Sequence, residues 1–400
     1  MTYSANFIIV SYEKKKDFFL VAIVKKGKIM EVGSFRNGLL KEEKDILLQL
    51  LQSNKVKSTK NHLYVQPGIC VKLSFRSFQN ERLVDPYFEK FLLHFDWKKC
   101  TYDFLIKNMA QNKINITNPD KLLFPNKNIT KLDYIHYLEA IAPFLLPFLE
   151  NRLLTLIRFP HGLFGDSFYQ KQCPDYAPAF IETSEEDAIQ YIVCNSIETL
   201  IWLGNQLAFE FHIPFETIYS EGKPSEIVFD LDPPSKNHFS LAIHAATIIK
   251  KILDSLHLIS YLKTSGNKGI QVYIPLPEKT FTYEEVRMFT EFIAKYMVAA
   301  EPNLFTVERL KKNRHNRLYI DYIQHSGGKT IIAPFSIRGN EDGSVACPLF
   351  WDELTEELTP KIFTTQHVLS RLHQKGNPFK DYFETKTIQP FQQVLDFIQK

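Results

Sequence analysis

Along the first hundred residues the apolar positions come in short runs separated by polar turns. Phe18-Phe19-Leu20-Val21-Ala22-Ile23-Val24 runs into Lys25-Lys26-Gly27-Lys28 and then Ile29-Met30-Glu31-Val32-Gly33, the pattern of a β-hairpin. Leu39, Leu40, Ile46, Leu47 and Leu50 recur at helical spacing and predict a helix over 41–52. Further strands are expected at 62–66 and 69–76. Short strands with one helix predict a small β-barrel over residues 1–103. Residues 104–116 carry little periodicity and several polar side chains (Lys107, Asn108, Gln111, Asn112, Lys113), and read as a linker.

From residue 117 to 400 the pattern alternates between periods. Thr130 with Asp133 has the form of a capping box opening a helix that runs to about Glu150. Helices are expected at 185–211, 238–257 and 283–299. Strands are expected at 153–159, 226–232, 260–264, 270–275, 317–324 and 329–335. That order predicts an α+β domain, a mixed and largely antiparallel sheet flanked by helices.

A chain of 400 residues with 44% hydrophobic and 23% charged residues reads as globular, with room for two or three cores. A formal net charge of +3 does not announce a nucleic-acid binder, although a basic groove fits within a balanced total. Cys70, Cys100, Cys173, Cys194 and Cys347 are scattered and form no CxxC pair, which argues against a disulfide framework or zinc site and fits a reducing cytoplasm. No leader pattern is visible, and the apolar stretch around 141–149 is too short to span a bilayer.

The sharpest local feature is Ile227-Val228-Phe229-Asp230-Leu231-Asp232-Pro233-Pro234. On a strand, residues two apart share a face, so Asp230 and Asp232 project together while Ile227, Phe229 and Leu231 face a core. Paired carboxylates repel unless a cation joins them or one keeps a proton. Asp321 is a further carboxylate inside a strand-like run. Three such groups can hold two divalent ions about 3.5–4 Å apart. The residues alone leave another reading open, a turn pair at 230–232 and a salt bridge at Asp321. Between two apolar strands lies Lys263-Thr264-Ser265-Gly266-Asn267-Lys268-Gly269-Ile270-Gln271, whose glycines, hydroxyl and lysine suit an anion such as a triphosphate. It lacks the P-loop pattern, and a plain glycine hairpin explains it equally. Lys329 and Arg338 would add positive charge.

These residues carry a resemblance. Residues 117–400 resemble the polymerase domain of bacterial ligase D, an end-joining member of the archaeo-eukaryotic primase superfamily. The matching motifs are Thr117-Asn118-Pro119-Asp120-Lys121, Trp202-Leu203, Glu210-Phe211-His212, Phe229-Asp230-Leu231-Asp232-Pro233, Thr264-Ser265-Gly266-Asn267-Lys268-Gly269, Asp321-Tyr322-Ile323-Gln324, Ala333-Pro334-Phe335-Ser336-Ile337-Arg338 and Trp351-Asp352-Glu353-Leu354. The resemblance implies template-directed nucleotidyl transfer with two Mn²⁺ or Mg²⁺ ions, ribonucleotides favoured, with Asp230, Asp232 and Asp321 as catalytic and metal-binding residues. It implies His212, Ser265, Lys268, Gln271, Lys329 and Arg338 near the incoming nucleoside triphosphate. It places Asn118, Lys121 and Lys131 on a recessed DNA 5′-phosphate, where a helix N-terminus favours an anion. It places Phe168 and Tyr169 against DNA bases. Read without it, the aromatic pair belongs in a core and His212 caps a helix end. Gln271 departs from the motif, which usually has His there; Gln carries no positive charge.

Residues 1–103 resemble the OB domain that follows the adenylating domain of ATP-dependent DNA ligases, through Asp17-Phe18-Phe19-Leu20-Val21, Val32-Gly33-Ser34, Val71-Lys72-Leu73-Ser74-Phe75 and Asp96-Trp97-Lys98-Lys99-Cys100. His94 stands where that pattern has an arginine, and no KxDG nucleophile motif is present. The chain is therefore not expected to seal nicks alone. The expected role is gap filling and end extension in non-homologous end joining in the bacterial cytoplasm, at the nucleoid. Expected partners are DNA ends with a 5′-phosphate, a Ku homodimer and a separate ligase. The alternatives are a non-catalytic end-binding scaffold recruiting Ku or a ligase, and, more weakly, a metal-dependent phosphohydrolase.

Overall fold

The computed structural model describes residues 3–93, 95–111 and 114–399; His94, Asn112 and Lys113 lie outside the described residues. The chain divides into two compact units, Met1–Asn115 and Ile116–Lys400. The class is α+β, as the alternation of periods predicts.

In the first unit one long strand, Tyr3–Glu13, organises the rest. One edge pairs with Phe18–Lys25, which pairs in turn with Lys28–Phe35. Its other edge is shared: Tyr3–Ile8 pairs with Cys70–Phe75, while Ser11–Glu13 pairs with His62–Tyr64. A register shift between Ile9 and Ser11 marks the bend between these partners. A strand that bulges and changes partners curls its sheet, and the result is a half-barrel. Phe7, Ile9, Phe19, Val21, Val71 and Leu73 fill it, with Leu47 and Leu51 of the Lys41–Ser53 helix. Tyr3–Glu13 was absent from the expected strands. The segment expected as a linker from 104 is instead the body of a helix, Tyr102–Gln111.

Among the described residues the second unit contains two larger sheets and two two-stranded ones. A four-stranded antiparallel sheet runs Phe168–Gln170, Thr155–Arg158, Ala208–Pro214, Thr330–Ile332. A six-stranded sheet runs Phe305–Thr306, Leu318–Ile320, Glu226–Asp232, Ile270–Pro275, Tyr261–Thr264, Pro348–Leu349, and its sole parallel pair is the first. The segment 333–347 ties them together. Ala333 N donates to Phe211 O (2.8 Å), Phe335 N to Ala346 O (2.8 Å), and Thr264 N to Cys347 O (2.9 Å). Helices Phe239–Ser255 and Tyr283–Ala300 lie within two residues of the expected bounds.

The expected helix at 185–211 is not formed. Glu182–Glu186 and Ile189–Val193 make a hairpin, Ile197–Asn205 is a short helix, and Ala208–Pro214 is a strand. Apolar residues recur through all three pieces, so periodicity alone does not divide the run. The breaks come from Ser196, whose hydroxyl accepts from Thr199 N (3.1 Å) as an N-cap, and from Leu207 with φ of 59°. The expected strand at 317–324 stops at Ile320. Tyr322–Gln324 is a 3₁₀ turn, and the buried His325 ring accepts the Val228 N–H through Nε2 at 2.9 Å, where a longer strand would have paired.

Candidate active site

The aspartates stand where a buried strand comes out of the core. Glu226, Ile227, Val228, Phe229 and Leu231 are buried, and the strand ends at Asp232 before the two prolines. Because Leu231 pairs with Ile320 and Asp232 with Tyr319, the antiparallel register sets Asp230 opposite Asp321. Asp230 faces Gln271 on its other side. Sequence alternation thus joins Asp230 to Asp232, and strand pairing brings in Asp321.

A cavity of about 270 Å³ opens here, lined by Asp230, Asp232, His212, Ser265, Asn267, Lys268, Gly269, Gln271, Gln324 and Arg338, among others. Asp321 and Lys329 are outside this lining. Asp321 accepts from the Tyr319 hydroxyl at 3.0 Å. Lys329 is exposed on a turn in which its N–H donates to Ser326 O (3.2 Å). Burial pushes the Asp230 carboxyl up to about 6, and the negative charges of Asp232 and Asp321 add to this against a hydrogen bond from Gln271 and the charge of Lys263.

The glycine segment is a tight turn between the Tyr261–Thr264 and Ile270–Pro275 strands. Gly266 has φ of 71°, and a Cβ there would lie 2.7 Å from Arg338 Cγ and 2.8 Å from Ala346 N. Ser265 Oγ accepts from Gly269 N at 3.0 Å, and Lys268 Nζ lies 3.1 Å from Asp232 Oδ1 and 2.7 Å from Pro233 O.

His212 lies in a strand, not at a helix end, because 208–214 is extended. Two residues earlier on the same face is Glu210, part of the Glu210-Phe211-His212 motif but without an expected role of its own. Its carboxylate lies 2.9 Å from His212 Nε2 and 3.0 Å from Arg338 Nη1, and accepts from Gly339 N at 3.0 Å. Burial alone would raise its pKa; the His212 hydrogen bond and the Arg338 charge outweigh burial and hold it below the ordinary value. The available signal was a Glu-x-His pair on one face of an apolar strand. A second missed feature is Glu308–Arg317, with Arg309, Lys311, Lys312, Arg314 and Arg317 against one Glu. Its Arg314 guanidinium lies 4.0 Å from the Tyr319 ring centroid, beside Asp321.

The remaining expected groups lie elsewhere in this unit. Lys131 is the first residue of the Lys131–Leu149 helix, behind the Thr130–Asp133 capping box. It is buried, and Nζ donates to Thr117 O (2.7 Å) and Oγ1 (3.0 Å). Burial and then the charge of nearby Lys121 push its pKa down to about 8. Lys121 N donates to Asn118 O (3.1 Å), which brings all three expected residues to this helix start. Phe168 and Tyr169 are both exposed, contrary to a core reading, with the Arg158 guanidinium 5.3 Å from the Phe168 centroid.

Among the described residues no group of three or more His, Cys, Asp or Glu stands arranged to hold a metal ion. Lys268 and Tyr319 take up oxygens of Asp232 and Asp321. The donor set still suits a hard divalent cation: carboxylate oxygens of Asp230 and Asp232 on one strand and of Asp321 just past its neighbour, where burial and repulsion raise the Asp230 pKa. Among the described residues no helix is long and apolar enough to cross a membrane.

The family profile described as "LigD, primase-polymerase domain" matches residues 130–379. The chain is 42% identical over 394 residues to the bifunctional non-homologous end joining protein LigD of Bacillus subtilis, covering 98% of this chain and 64% of that protein. It is 32% identical over 273 residues to the multifunctional LigD of Mycolicibacterium smegmatis, covering 66% of this chain and 35% of that one. The chain therefore spans less than two thirds of these relatives. The solved polymerase domain of Mycobacterium tuberculosis ligase D, in complex with DNA, superposes with a TM-score of 0.64 at 28% identity, covering 70% of this chain and 100% of that one.

Proposed function

This chain belongs to the LigD primase-polymerase family, and from that premise we propose that it is a nucleotidyltransferase that extends DNA ends during non-homologous end joining. The observation that carries this reading is the cavity that joins Asp230 and Asp232 to Ser265, Lys268, His212 and Arg338. Two carboxylates beside cationic and hydroxyl groups suit a metal-bound triphosphate, not a simple phosphate ester. Ribonucleotides are the proposed preferred substrates.

Ser265, Lys268 and Arg338 would hold phosphate oxygens, with Glu210 keeping Arg338 and His212 oriented. Divalent ions, Mn²⁺ or Mg²⁺, held by Asp230, Asp232 and Asp321 would supply activation of the primer 3′-hydroxyl and neutralisation of the triphosphate. The protein's share is positioning: the hydroxyl is aligned with the α-phosphate, and pyrophosphate leaves on the opposite side. Asn118, Lys121 and Lys131 would receive the recessed 5′-phosphate. Phe168 and Tyr169, exposed beside Arg158, would pack on bases. The half-barrel is read as an OB-type module. DNA ends, Ku and a separate ligase are the proposed partners.

Extension of a primer across a gap bearing a recessed 5′-phosphate, with Mn²⁺ and either NTPs or dNTPs, tests this. Asp230→Ala is expected to lower the rate at least about a hundredfold. Equal extension by wild type and variant would show the site to be wrong. Tight end binding without incorporation under several metals would favour the scaffold reading.

A further inference from the structure

Lys263 is a fully buried lysine for which the nucleotidyl-transfer reading has no use. Register explains where it lies. Lys263 pairs with Gln271, Gln271 pairs with Asp230, and Asp230 stands opposite Asp321. Residues opposite one another share a face, so Lys263, Gln271 and Asp230 form a row across three strands, with Asp321 just past the end of the fourth. Among the described residues Lys263 makes no ion pair. Its Nζ donates to Gln271 Oε1, has a longer contact with Thr264 O (3.5 Å) and lies 5.6 Å from the Tyr273 ring centroid.

An isolated buried ammonium is costly, so its setting needs a cause. Donor chemistry provides one. Lys263 Nζ donates to Gln271 Oε1, so the carbonyl end of that amide faces the lysine. The amide nitrogen is thereby turned the other way, onto Asp230 Oδ1 at 3.1 Å. Gln271 is itself only 2% exposed, so both ends of its amide are committed within the protein. Among the described residues no hydrogen bond is made to Asp230 Oδ2, which is left for a ligand.

We propose that Lys263 and Gln271 are a positioning pair for the metal site: Lys263 fixes the Gln271 amide, which orients Asp230 and stabilises its carboxylate for a divalent cation. Gln271, where the chain departs from its motif, thus serves the metal carboxylate and not the triphosphate. The inference rests on the proposed metal site. Lys263 is a positioning residue, since it acts through Gln271 and touches no reacting atom.

The test is Mn²⁺ titration of the full chain, followed by the EPR signal of free Mn²⁺, without nucleotide or DNA. Wild type is compared with Lys263→Met and with the Lys263→Met/Gln271→Met double variant. The double variant removes Lys263 and its acceptor together, leaves only Asp230 Oδ1 without its donor, and carries the test if the single variant misfolds. Loss of a group that orients a metal ligand weakens metal binding about tenfold or more, and that is the shift expected in both variants. Binding to 5′-phosphorylated ends should stay within about twofold of wild type, since the pair is not among the residues at the Lys131 helix start. Wild-type Mn²⁺ affinity in the variants would overturn the pairing, as would a raised nucleotide KM with unchanged Mn²⁺ binding. Failure of wild type to bind Mn²⁺ would instead overturn the metal reading on which the pair depends.

Discussion

Asp230 shows how one side chain registers its surroundings. Its carboxyl rises from 3.8 to about 6, chiefly through burial. Between those values the folded protein keeps a proton that the unfolded chain has released, so this group's contribution to stability falls as pH rises through that window. Above it the ionised carboxylate costs roughly 1–3 kcal/mol. In chelator, Asp230→Asn should therefore gain on wild type by that amount between about pH 4 and pH 7, measured by urea unfolding, and Mn²⁺ should reverse the gain. A stability difference that stays flat with pH would mean that Asp230 is not strained. Asp230 and Asp232 were legible in the sequence because they lie two apart on one strand. The roles of Glu210 and Lys263 were not, because they depend on groups brought from elsewhere in the chain. Arg338 reaches Glu210 from 128 residues away, and Asp230 meets the Gln271 amide from 41 residues away.

At the scale of elements, well-punctuated pieces were legible and poorly punctuated runs were not. Thr130 and Asp133 announce the helix start, and the box forms: Asp133 N donates to Thr130 Oγ1 (3.2 Å) and Thr130 N to Asp133 Oδ2 (2.8 Å). Lys131 close to this start, its pKa depressed by burial and then by the charge of Lys121, belongs with Lys121 to the proposed 5′-phosphate site. Lys121→Ala should lower affinity for recessed 5′-phosphate ends about tenfold, the worth of one charged hydrogen bond. Ends carrying a 5′-hydroxyl should bind the variant and wild type alike in fluorescence anisotropy; equal loss on both would make Lys121 a general backbone contact. The stretch from 185 to 211 failed for the opposite reason. Its apolar residues serve a hairpin, a helix and a strand in turn, and only the Ser196 cap and the left-handed Leu207 separate them. That error put His212 at a helix end and hid its alignment with Glu210.

For the whole molecule, the division at Asn115 and Ile116 means that each unit closes its own core. Residues 116–400 made alone should unfold cooperatively by circular dichroism and extend primers at a rate within about threefold of the full chain, as expected of a domain with its own core. An aggregated or molten product would show that the second unit depends on the first. The half-barrel was legible as a class from its short strands, but its organising strand, Tyr3–Glu13, was not singled out. That strand is distinguished by having three partners, a property of pairing and not of composition.

The sequence by itself determined the class of the fold, the placement of two aspartates on one face, the tight glycine turn and the capped helix, because each depends on neighbours a few residues apart. The membership of the active site was decided by tertiary structure. Only strand register sets Asp321 against Asp230, only the strap from 333 to 347 brings Arg338 to Glu210, and only the row across three strands puts a buried lysine behind Asp230. Such contacts are made by residues far apart in the chain, and their electrostatics exist only once water has been excluded from between them.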